Sequence, residues 1–272
     1  MLSKLNKNGS LLWRKQLSDA DTPYQRTSVG GFAADSAGNS YVALLSAINL
    51  DDAWFDNGSS LRKYDTTGRL LWERTFGEYE ASFSDLAVAL DGSLYSVSRK
   101  NDREAWLTKY GASGKTLWKE FVDSSFRTAV AVGGGAVYVA GDGNTNSLIK
   151  YSTAGVRQWE RVVNPSVLFS GGDISADTSG NVYLATSNDA VSNGRYDLDL
   201  LVRKYTAAGA LAWSYQPRLS GTEESAFDVV ARTTGELYAV GTTDGEVNGK
   251  NNGGYDAFLL RLSGQGGKVW SR

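Results

Sequence analysis

Three aspartates at one repeated position are the residues of this sequence best placed to carry acid–base chemistry. Asp85, Asp173 and Asp228 each lie ten residues before a tyrosine that recurs in the same frame. Carboxylates held close together shift each other's pKa, so such a group can bind a cation or divide into a general acid and a general base. The structural alternative, which we favour, is that each accepts backbone N–H groups from its adjoining loop.

A short segment rich in Asp and Asn, "GDGNTN", has the D-x-N-x-N spacing with which calcium loops begin. Its ligands would be Asp142, Asn144 and Asn146. A complete loop of this type needs a glutamate at its twelfth position, where this chain has Thr153. Asp-Gly is also a common hairpin turn. We therefore expect no cofactor and keep calcium at this segment as the weaker alternative.

An aromatic pair beside carboxylates stands outside the repeat pattern described below. Trp54 and Phe55 are flanked by Asp51, Asp52 and Asp56. An exposed indole can contact a ligand with its apolar body and its polar N–H together, so these five residues are a candidate contact for a ligand, including a carbohydrate. The structural alternative is a small satellite core in which the pair folds over its own loop.

Composition removes several classes of chemistry. The chain has 272 residues with a formal net charge of -2, and it contains neither histidine nor cysteine. The commonest general base, zinc–thiolate sites and disulfides are therefore excluded. There is no basic excess of the kind that nucleic acid attracts. No apolar run approaches the roughly 20 residues of a membrane helix, and "MLSKLNKNGSLLW" does not read as a signal peptide.

One frame, K/R-x4-G-x3-W, recurs six times along the chain. The tryptophans of the six copies are Trp13, Trp72, Trp118, Trp159, Trp213 and Trp270. The basic residues are Lys4, Lys63, Lys109, Lys150, Lys204 and Arg261. An active site needs one copy of its residues, so six copies indicate a scaffold.

A second frame, G-x2-Y, alternates with the first and occurs five times. Its tyrosines are Tyr41, Tyr95, Tyr138, Tyr183 and Tyr238. Each frame reads as a β-hairpin, with the glycine supplying the left-handed residue that follows a type I turn. The spacing between successive frame tryptophans, 41 to 59 residues, is typical of a β-propeller built from four-stranded blades. No segment has a sustained helical period.

The frame residues have predicted structural roles. In the order A-B then C-D, the tryptophan falls on the outermost strand D, where an indole can fill the wedge between adjacent blades. Burying such a ring contributes about 2–3 kcal/mol. We expect the lysine stem to pack on the blade while its ammonium reaches an acidic partner or water.

Counting the hairpins predicts an all-β chain with five complete antiparallel blades and one N-terminal C-D hairpin, about 22 strands in a single domain over residues 1–272. Six C-D hairpins against five A-B hairpins would leave a six-bladed ring incomplete. Two explanations are open: further blade sequence or a second chain supplies the missing hairpin, or five blades close and the first hairpin packs outside.

The segments "GGYDAFLLRLSGQGGKVW" and "DISADTSGNVYLAT" resemble the bacterial β-propeller repeats known as SBBP repeats, over nearly the whole chain. This resemblance implies the fold and an exported or surface setting, and it brings no catalytic residues with it. "GKTLW" and "GGKVW" are also similar to the tryptophan-docking segments of quinoprotein-like (PQQ-like) repeats, which implies the same fold.

Function is expected on the face that carries the D-A and B-C loops, because these loops vary in length on a rigid scaffold. We predict a non-catalytic binding or structural module of an exported or cell-surface bacterial protein, with a protein or glycan ligand. Neither nucleic-acid binding nor membrane insertion is expected. One alternative is a quinoprotein-like scaffold that assembles protein partners. Another is a hydrolase or lyase that uses the three aspartates at the mouth of the channel.

Overall fold

The computed structural model describes residues 1–17, 25–50, 53–101, 103–123, 128–141, 146–163, 172–192, 195–217, 222–233, 235–245, 251 and 253–272. These residues form 22 β-strands, and none of them lies in a helix. The described residues therefore contain no helix long and apolar enough to cross a membrane. The chain divides into two compact units, residues 1–124 and 125–272. That residues 1–272 form a single domain stays a prediction.

The first unit contains one hairpin and two four-stranded sheets. The N-terminal hairpin pairs β1 (Leu2–Leu5) with β2 (Leu11–Lys15). Blade 1 consists of β3 (Gln25–Ala34), β4 (Ser40–Leu50), β5 (Ala53–Tyr64) and β6 (Leu70–Phe76). Blade 2 consists of β7 (Ser82–Val88), β8 (Leu94–Lys100), β9 (Glu104–Tyr110) and β10 (Thr116–Asp123).

The second unit contains three four-stranded sheets. Blade 3 consists of β11 (Thr128–Gly133), β12 (Ala136–Gly141), β13 (Ser147–Ser152) and β14 (Arg157–Val162). Blade 4 consists of β15 (Asp173–Ala176), β16 (Val182–Ser192), β17 (Arg195–Tyr205) and β18 (Leu211–Tyr215). Blade 5 consists of β19 (Glu224–Ala231), β20 (Leu237–Thr243), β21 (Asp256–Leu262) and β22 (Lys268–Ser271).

The four strands of every blade follow one another in chain order, each antiparallel to its neighbour, as strands A, B, C and D. This is the blade of a β-propeller. The predicted count of five complete blades and one N-terminal C-D hairpin is confirmed, as is the number of strands.

The predicted turn geometry is present in the hairpins of both frames. In the C-D turn of blade 1 the amide of Asp65 donates to the carbonyl of Arg69 (2.9 Å), and that of Gly68 donates to the carbonyl of Asp65 (3.0 Å). Gly68 has φ +84°, a left-handed conformation that glycine adopts without a Cβ clash. The A-B turn of blade 3 differs, because Gly134 and Gly135 both have positive φ, as a two-residue type I′ turn requires.

The hydrophobic cores lie between successive sheets within each unit. Side chains alternate between the two faces of each strand, and the faces that meet within a unit are largely apolar. One core joins blades 1 and 2 around Tyr41 and Leu94. In the second unit one core joins blades 3 and 4 and another joins blades 4 and 5, the latter around Tyr183 and Leu260.

Candidate functional site

The two repeat frames meet in one row across strands B, C and D of each blade. In blade 1, Tyr41 lies opposite Lys63, and Lys63 lies opposite Trp72. The ammonium of Lys63 is 4.8 Å from the Tyr41 ring centroid, and the Tyr41 and Trp72 rings meet edge to face at 6.1 Å. A cation over an aromatic face is stabilised by the quadrupole of the ring. The row is therefore an internal packing device.

The same row recurs in the other four complete blades. Their cation-to-ring distances are 5.3 Å for Lys109 over Tyr95, 5.7 Å for Lys150 over Tyr138, 5.1 Å for Lys204 over Tyr183 and 5.9 Å for Arg261 over Tyr238. The predicted acidic partner is present at Arg261, which pairs with Glu236. The ammonium of Lys150 donates to the carbonyl of Ala207 (2.8 Å) and lies over an aromatic ring.

Each frame tryptophan whose next blade lies in the same unit docks on the C-D turn of that blade. Nε1 of Trp72 donates to the carbonyl of Ala112 (2.9 Å), and Nε1 of Trp213 donates to that of Gly264 (3.1 Å). Trp13 and Trp159 make equivalent bonds to Thr66 (2.9 Å) and Ala207 (3.1 Å). These four indoles therefore lie against the following blade, the position that a wedge-filling side chain occupies. Trp118 and Trp270 pack on the tyrosines of their own blades.

The turn glycines are matched to these indoles. A Cβ built on Gly114 would lie 2.9 Å from Cδ2 of Trp72, and one built on Gly266 would lie 2.7 Å from Cδ2 of Trp213. These separations are shorter than a normal van der Waals contact. The glycine is therefore required by packing as well as by its positive φ. The residues of the frame that repeats six times therefore serve packing between and within blades.

Tyr41, Tyr138 and Tyr183 are held in their neutral form by raised pKa values. Burial raises the pKa of Tyr138 to about 12, with the charge of Asp177 adding to the effect. The pKa values of Tyr41 and Tyr183 are also raised by burial and by a neighbouring aspartate. A phenol with a raised pKa stays protonated at neutral pH, so these hydroxyls act as hydrogen-bond donors.

The three predicted aspartates occupy the A strands of their blades. Asp85 and Asp228 each sit at a β-bulge, and Asp173 begins β15 opposite Ala185. Oδ1 of Asp85 accepts the amide of Leu86 at 2.7 Å, a neighbour in the same strand, so the predicted bonds to the adjoining loop stay a prediction. Among the described residues, no group of three or more acidic side chains is arranged to hold a metal ion. Their catalytic role stays a prediction.

The segment around Trp54 is not the loop that the sequence suggested. Strand β4 continues to Leu50 and β5 begins at Ala53, so Asn49 pairs with Trp54 and Ile48 with Phe55. Ile48, Trp54 and Phe55 are residue types enriched in strands, which favours strand pairing over an open loop. Asp51, Asp52 and the side chains of Trp54, Phe55 and Asp56 lie outside the described part of the structure, and their proposed ligand contact stays a prediction.

Two further predicted loops lie on the same face. One is mostly paired strand, and the other lies largely outside the described residues. In blade 4, β16 and β17 extend to Ser192 and from Arg195, so the predicted B-C loop "SNDAVSNGRYDLD" is mostly paired strand. Of the calcium candidate, Asp142 and Asn144 lie outside the described residues. The carbonyl of Asn146 accepts the amide of Val163 at 2.7 Å.

An acidic group that the sequence reading missed lies at the D-A and B-C end of blade 5. Glu224 begins β19 opposite Thr243, which ends β20. Its side chain is buried, with an exposed fraction of 0%. Oε1 accepts hydrogen bonds from the hydroxyls of Thr222 (2.8 Å) and Thr243 (3.0 Å). Among the described residues, none hydrogen-bonds to Oε2.

Further carboxylates surround Glu224. Oδ1 of Asp244 accepts the amide of Glu223 at 2.5 Å, and Glu223 itself accepts the hydroxyl of Tyr255. Burial raises the pKa of Glu224, hydrogen bonds from Thr222 and Thr243 oppose this, and the charges of Asp199 and Asp244 add to it. A site of this charge, with one carboxylate oxygen unpaired, favours a cationic partner.

A sequence signal for this group exists in hindsight. Glu223 directly precedes strand A, Glu224 begins it, and Asp244 directly follows strand B. Adjacent antiparallel strands bring such positions together at one end of a sheet. These residues occur in one blade and do not recur in the repeat frames. A search for repeated positions therefore does not detect them.

Comparison with known proteins places the chain in a family. The sequence model of PQQ_2, described as outer membrane protein assembly factor BamB, matches residues 57–243, more than half of the chain. No curated protein matches it. The secondary resemblance to PQQ-like repeats is thereby confirmed, and the resemblance to SBBP repeats stays a prediction.

Solved structures show the fold alone, because their sequence identities are low. The D477G ACO/RPE65 chimera is 13% identical with a TM-score of 0.53, and the match covers 97% of this chain and 65% of that one. Raptor of Chaetomium thermophilum is 12% identical with a TM-score of 0.52, with coverage of 91% and 25%. The chain thus spans less than two thirds of either. It is a β-propeller and belongs to the PQQ_2 family of outer membrane protein assembly factor BamB.

Proposed function

We propose that this chain is a non-catalytic scaffold that binds a protein partner on the face of its D-A and B-C loops, in an exported or cell-surface setting. The family of assembly factor BamB supports a role in protein assembly. The frame residues support it too, because the Tyr, Lys, Trp and Gly positions are used for packing. The D-A and B-C loops differ in sequence and length from blade to blade. Binding functions concentrate in such variable loops on rigid scaffolds.

The observation that carries the proposal is the acidic group of Glu223, Glu224 and Asp244. A buried carboxylate with one unpaired oxygen is costly in the free protein. A lysine or arginine from a partner can pair with the exposed Asp244, and its charge offsets the negative charge that Asp244 and the buried Glu224 share. The partner class that this end of blade 5 fits best is therefore a basic protein segment, bound without a cofactor.

A glycan is the second ligand class for the same face. The observation in its favour is the length of β4 and β5, 11 and 12 residues, against 7 for β6. The paired hairpin carries the Trp54-Phe55 pair beyond the end of the outer strand. Indole rings are suited to such contacts because they combine an apolar face with a polar N–H.

Crosslinking to an envelope extract of the source organism tests the proposal. We compare the wild-type chain with the double variant Glu224→Gln, Asp244→Asn, and with Glu120→Gln, an exposed carboxylate on β10, as the matched control. We expect one protein to be captured by the wild type and the control and lost with the double variant. Equal capture by all three, or none above background, would refute the proposal.

A further inference from the structure

Two fully buried polar side chains lie in the interface between blades 4 and 5. Glu224 begins β19 and Ser187 lies on β16, and the exposed fraction of each is 0%. Among the described residues, none hydrogen-bonds to Oε2 of Glu224 or to Oγ of Ser187. A buried polar atom that has no partner destabilises the folded protein. Two such atoms on neighbouring blades therefore indicate a binding site.

The register of the strands turns both side chains into this interface. Tyr183 and Ala185 belong to the core between blades 4 and 5. Ser187 follows Ala185 by two residues, so it continues the same face of β16. Ala226 belongs to that core as well, and Glu224 precedes it by two residues with no bulge between them. Because β16 and β19 pack against each other, the two unpartnered oxygens lie on facing sides of one interface.

The equivalent place between blades 1 and 2 is apolar. Leu45 occupies the position of Ser187, four residues after the frame tyrosine, and Ala81 occupies the position of Glu224 in the register of strands A and B. Ala81 belongs to a hydrophobic core and Leu45 packs against it. The two lie close together, because Ser59 pairs with Leu45 and donates from its hydroxyl to the carbonyl of Ala81 at 2.6 Å. The second unit thus places a carboxylate and a hydroxyl where the first unit places two apolar side chains.

The surroundings of Glu224 favour a cation over a neutral ligand. Its Oε1 accepts hydrogen bonds from the hydroxyls of Thr222 (2.8 Å) and Thr243 (3.0 Å), and such bonds favour the ionised carboxylate. The charges of Asp199 and Asp244 also act on Glu224, so a positive ion reduces the repulsion among these carboxylates. A water molecule can supply hydrogen bonds, but it leaves the charge of a buried carboxylate unpaired.

We propose that Glu224 and Ser187 bind a single monovalent cation, Na⁺ or K⁺, in the interface between blades 4 and 5. Oε2 of Glu224 supplies the negative charge, and Oγ of Ser187 supplies a neutral oxygen ligand. Calcium takes about six to eight oxygens, several of them from carboxylates, and the described residues contain no group of three acidic side chains arranged to hold a metal ion. The ion joins β16 to β19. This inference goes beyond the proposed partner contact and does not require it.

Thermal unfolding of the full chain tests the ion site. The wild type is unfolded at neutral pH in choline chloride and in NaCl or KCl at the same concentration, about 0.15 M, so that general screening by salt is constant. We expect Na⁺ or K⁺ to raise the melting temperature by about 3 °C or more, because an ion that binds only the folded state stabilises it. The rise should saturate as choline is replaced. Broadening of the sodium NMR signal by the wild-type chain, reversed by K⁺, measures binding independently of unfolding.

Variants of the chain locate the ion. Glu224→Gln keeps the shape of the side chain and removes its charge, so the rise in melting temperature should be lost. Ser187→Ala removes only the neutral ligand and should weaken the apparent affinity for the ion by about fivefold or more. Glu120→Gln, at an exposed carboxylate on β10, is the matched control and should keep the full rise. If Glu224→Gln does not fold, Ser187→Ala and the sodium NMR signal decide the question.

Three outcomes overturn the proposal. Equal melting temperatures in choline, Na⁺ and K⁺ would mean that the interface holds water alone. An equal rise in the wild type and Glu224→Gln would mean that the salt acts elsewhere on the chain. A rise that only calcium or magnesium produces, and that Glu224→Gln removes, would assign the site to a divalent ion. A saturable rise with Na⁺ or K⁺ that Glu120→Gln keeps and Glu224→Gln loses supports the proposal, whether or not a protein partner is captured.

Discussion

The close fit between turn glycines and the indoles of the preceding blade can be measured with two alanine substitutions in one blade. Gly114 makes the C-D turn of blade 2 at φ +80°, and Gly92 makes its A-B turn at φ +78°. A Cβ on Gly114 would meet the Trp72 ring at 2.9 Å, whereas a Cβ on Gly92 would have no neighbour within 4 Å. Gly92→Ala is therefore the matched control for Gly114→Ala.

The expected magnitudes follow from that geometry. A left-handed alanine costs about 1–2 kcal/mol, offset by about 0.4–1 kcal/mol from the lower entropy of the unfolded chain. Gly92→Ala should therefore lower the free energy of unfolding by about 1 kcal/mol. Gly114→Ala adds about 1–3 kcal/mol of overpacking. Displacement of Trp72 would weaken its hydrogen bond to Ala112 (2.9 Å), adding up to about 1 kcal/mol.

Equilibrium urea unfolding, followed by far-UV circular dichroism, measures the difference. The m value shows whether the extent of unfolding is unchanged, which the comparison of midpoints requires. In a Trp72→Ala background the extra cost of Gly114→Ala should disappear, because the ring that the methyl group meets is gone.

Equal destabilisation by Gly114→Ala and Gly92→Ala, within about 0.5 kcal/mol, would refute the reasoning. It would mean that the glycine is needed for its backbone conformation alone, and that the fit of turn to indole contributes nothing measurable. A surplus that persists in the Trp72→Ala background would refute it as well.

Four further predictions follow from the sites. Trp213→Phe should cost about 1 kcal/mol in urea unfolding by deleting the bond from Nε1 to the carbonyl of Gly264 (3.1 Å), and no loss would contradict the docking. Because burial raises the pKa of Glu224 above 4.5, its stabilising protonated form is lost as the pH rises through the folded-state pKa. Wild-type stability should therefore fall relative to Glu224→Gln as the pH rises from 4.5 through the raised folded-state pKa, and parallel profiles would contradict this. Trp54→Ala should abolish any glycan-array binding, and unchanged binding would exclude that residue. Excess calcium should raise the melting temperature of the wild type but not of Asp142→Asn if the segment binds it, and no rise in the wild type would remove the metal hypothesis.

The hairpins and their number could be predicted because the signals are local. A glycine with positive φ and period-two alternation are properties of a few consecutive residues. The tryptophan role was also predictable, since repetition in every copy points to packing. The position of the lysines was harder, because Tyr41, Lys63 and Trp72 are aligned only by the register of three strands.

The extended hairpins and the acidic group needed the fold. Pairing of Asn49 with Trp54 competes with an open loop, and composition favoured the loop because the segment is rich in Asp and Asn. Glu224 and Thr243 are brought together across a strand pair. The charge environment of Glu224 also depends on Asp199 in a different blade.

The sequence by itself determined a series of four-stranded blades, because each hairpin is specified by its own turn and alternation. Only the tertiary structure decided which faces are covered. Val240 and Ala185 occupy the same position in their frames, yet one is partly exposed and the other is buried. The physical reason is that burial depends on the strand that a neighbouring sheet supplies, and no residue of the frame itself encodes that neighbour.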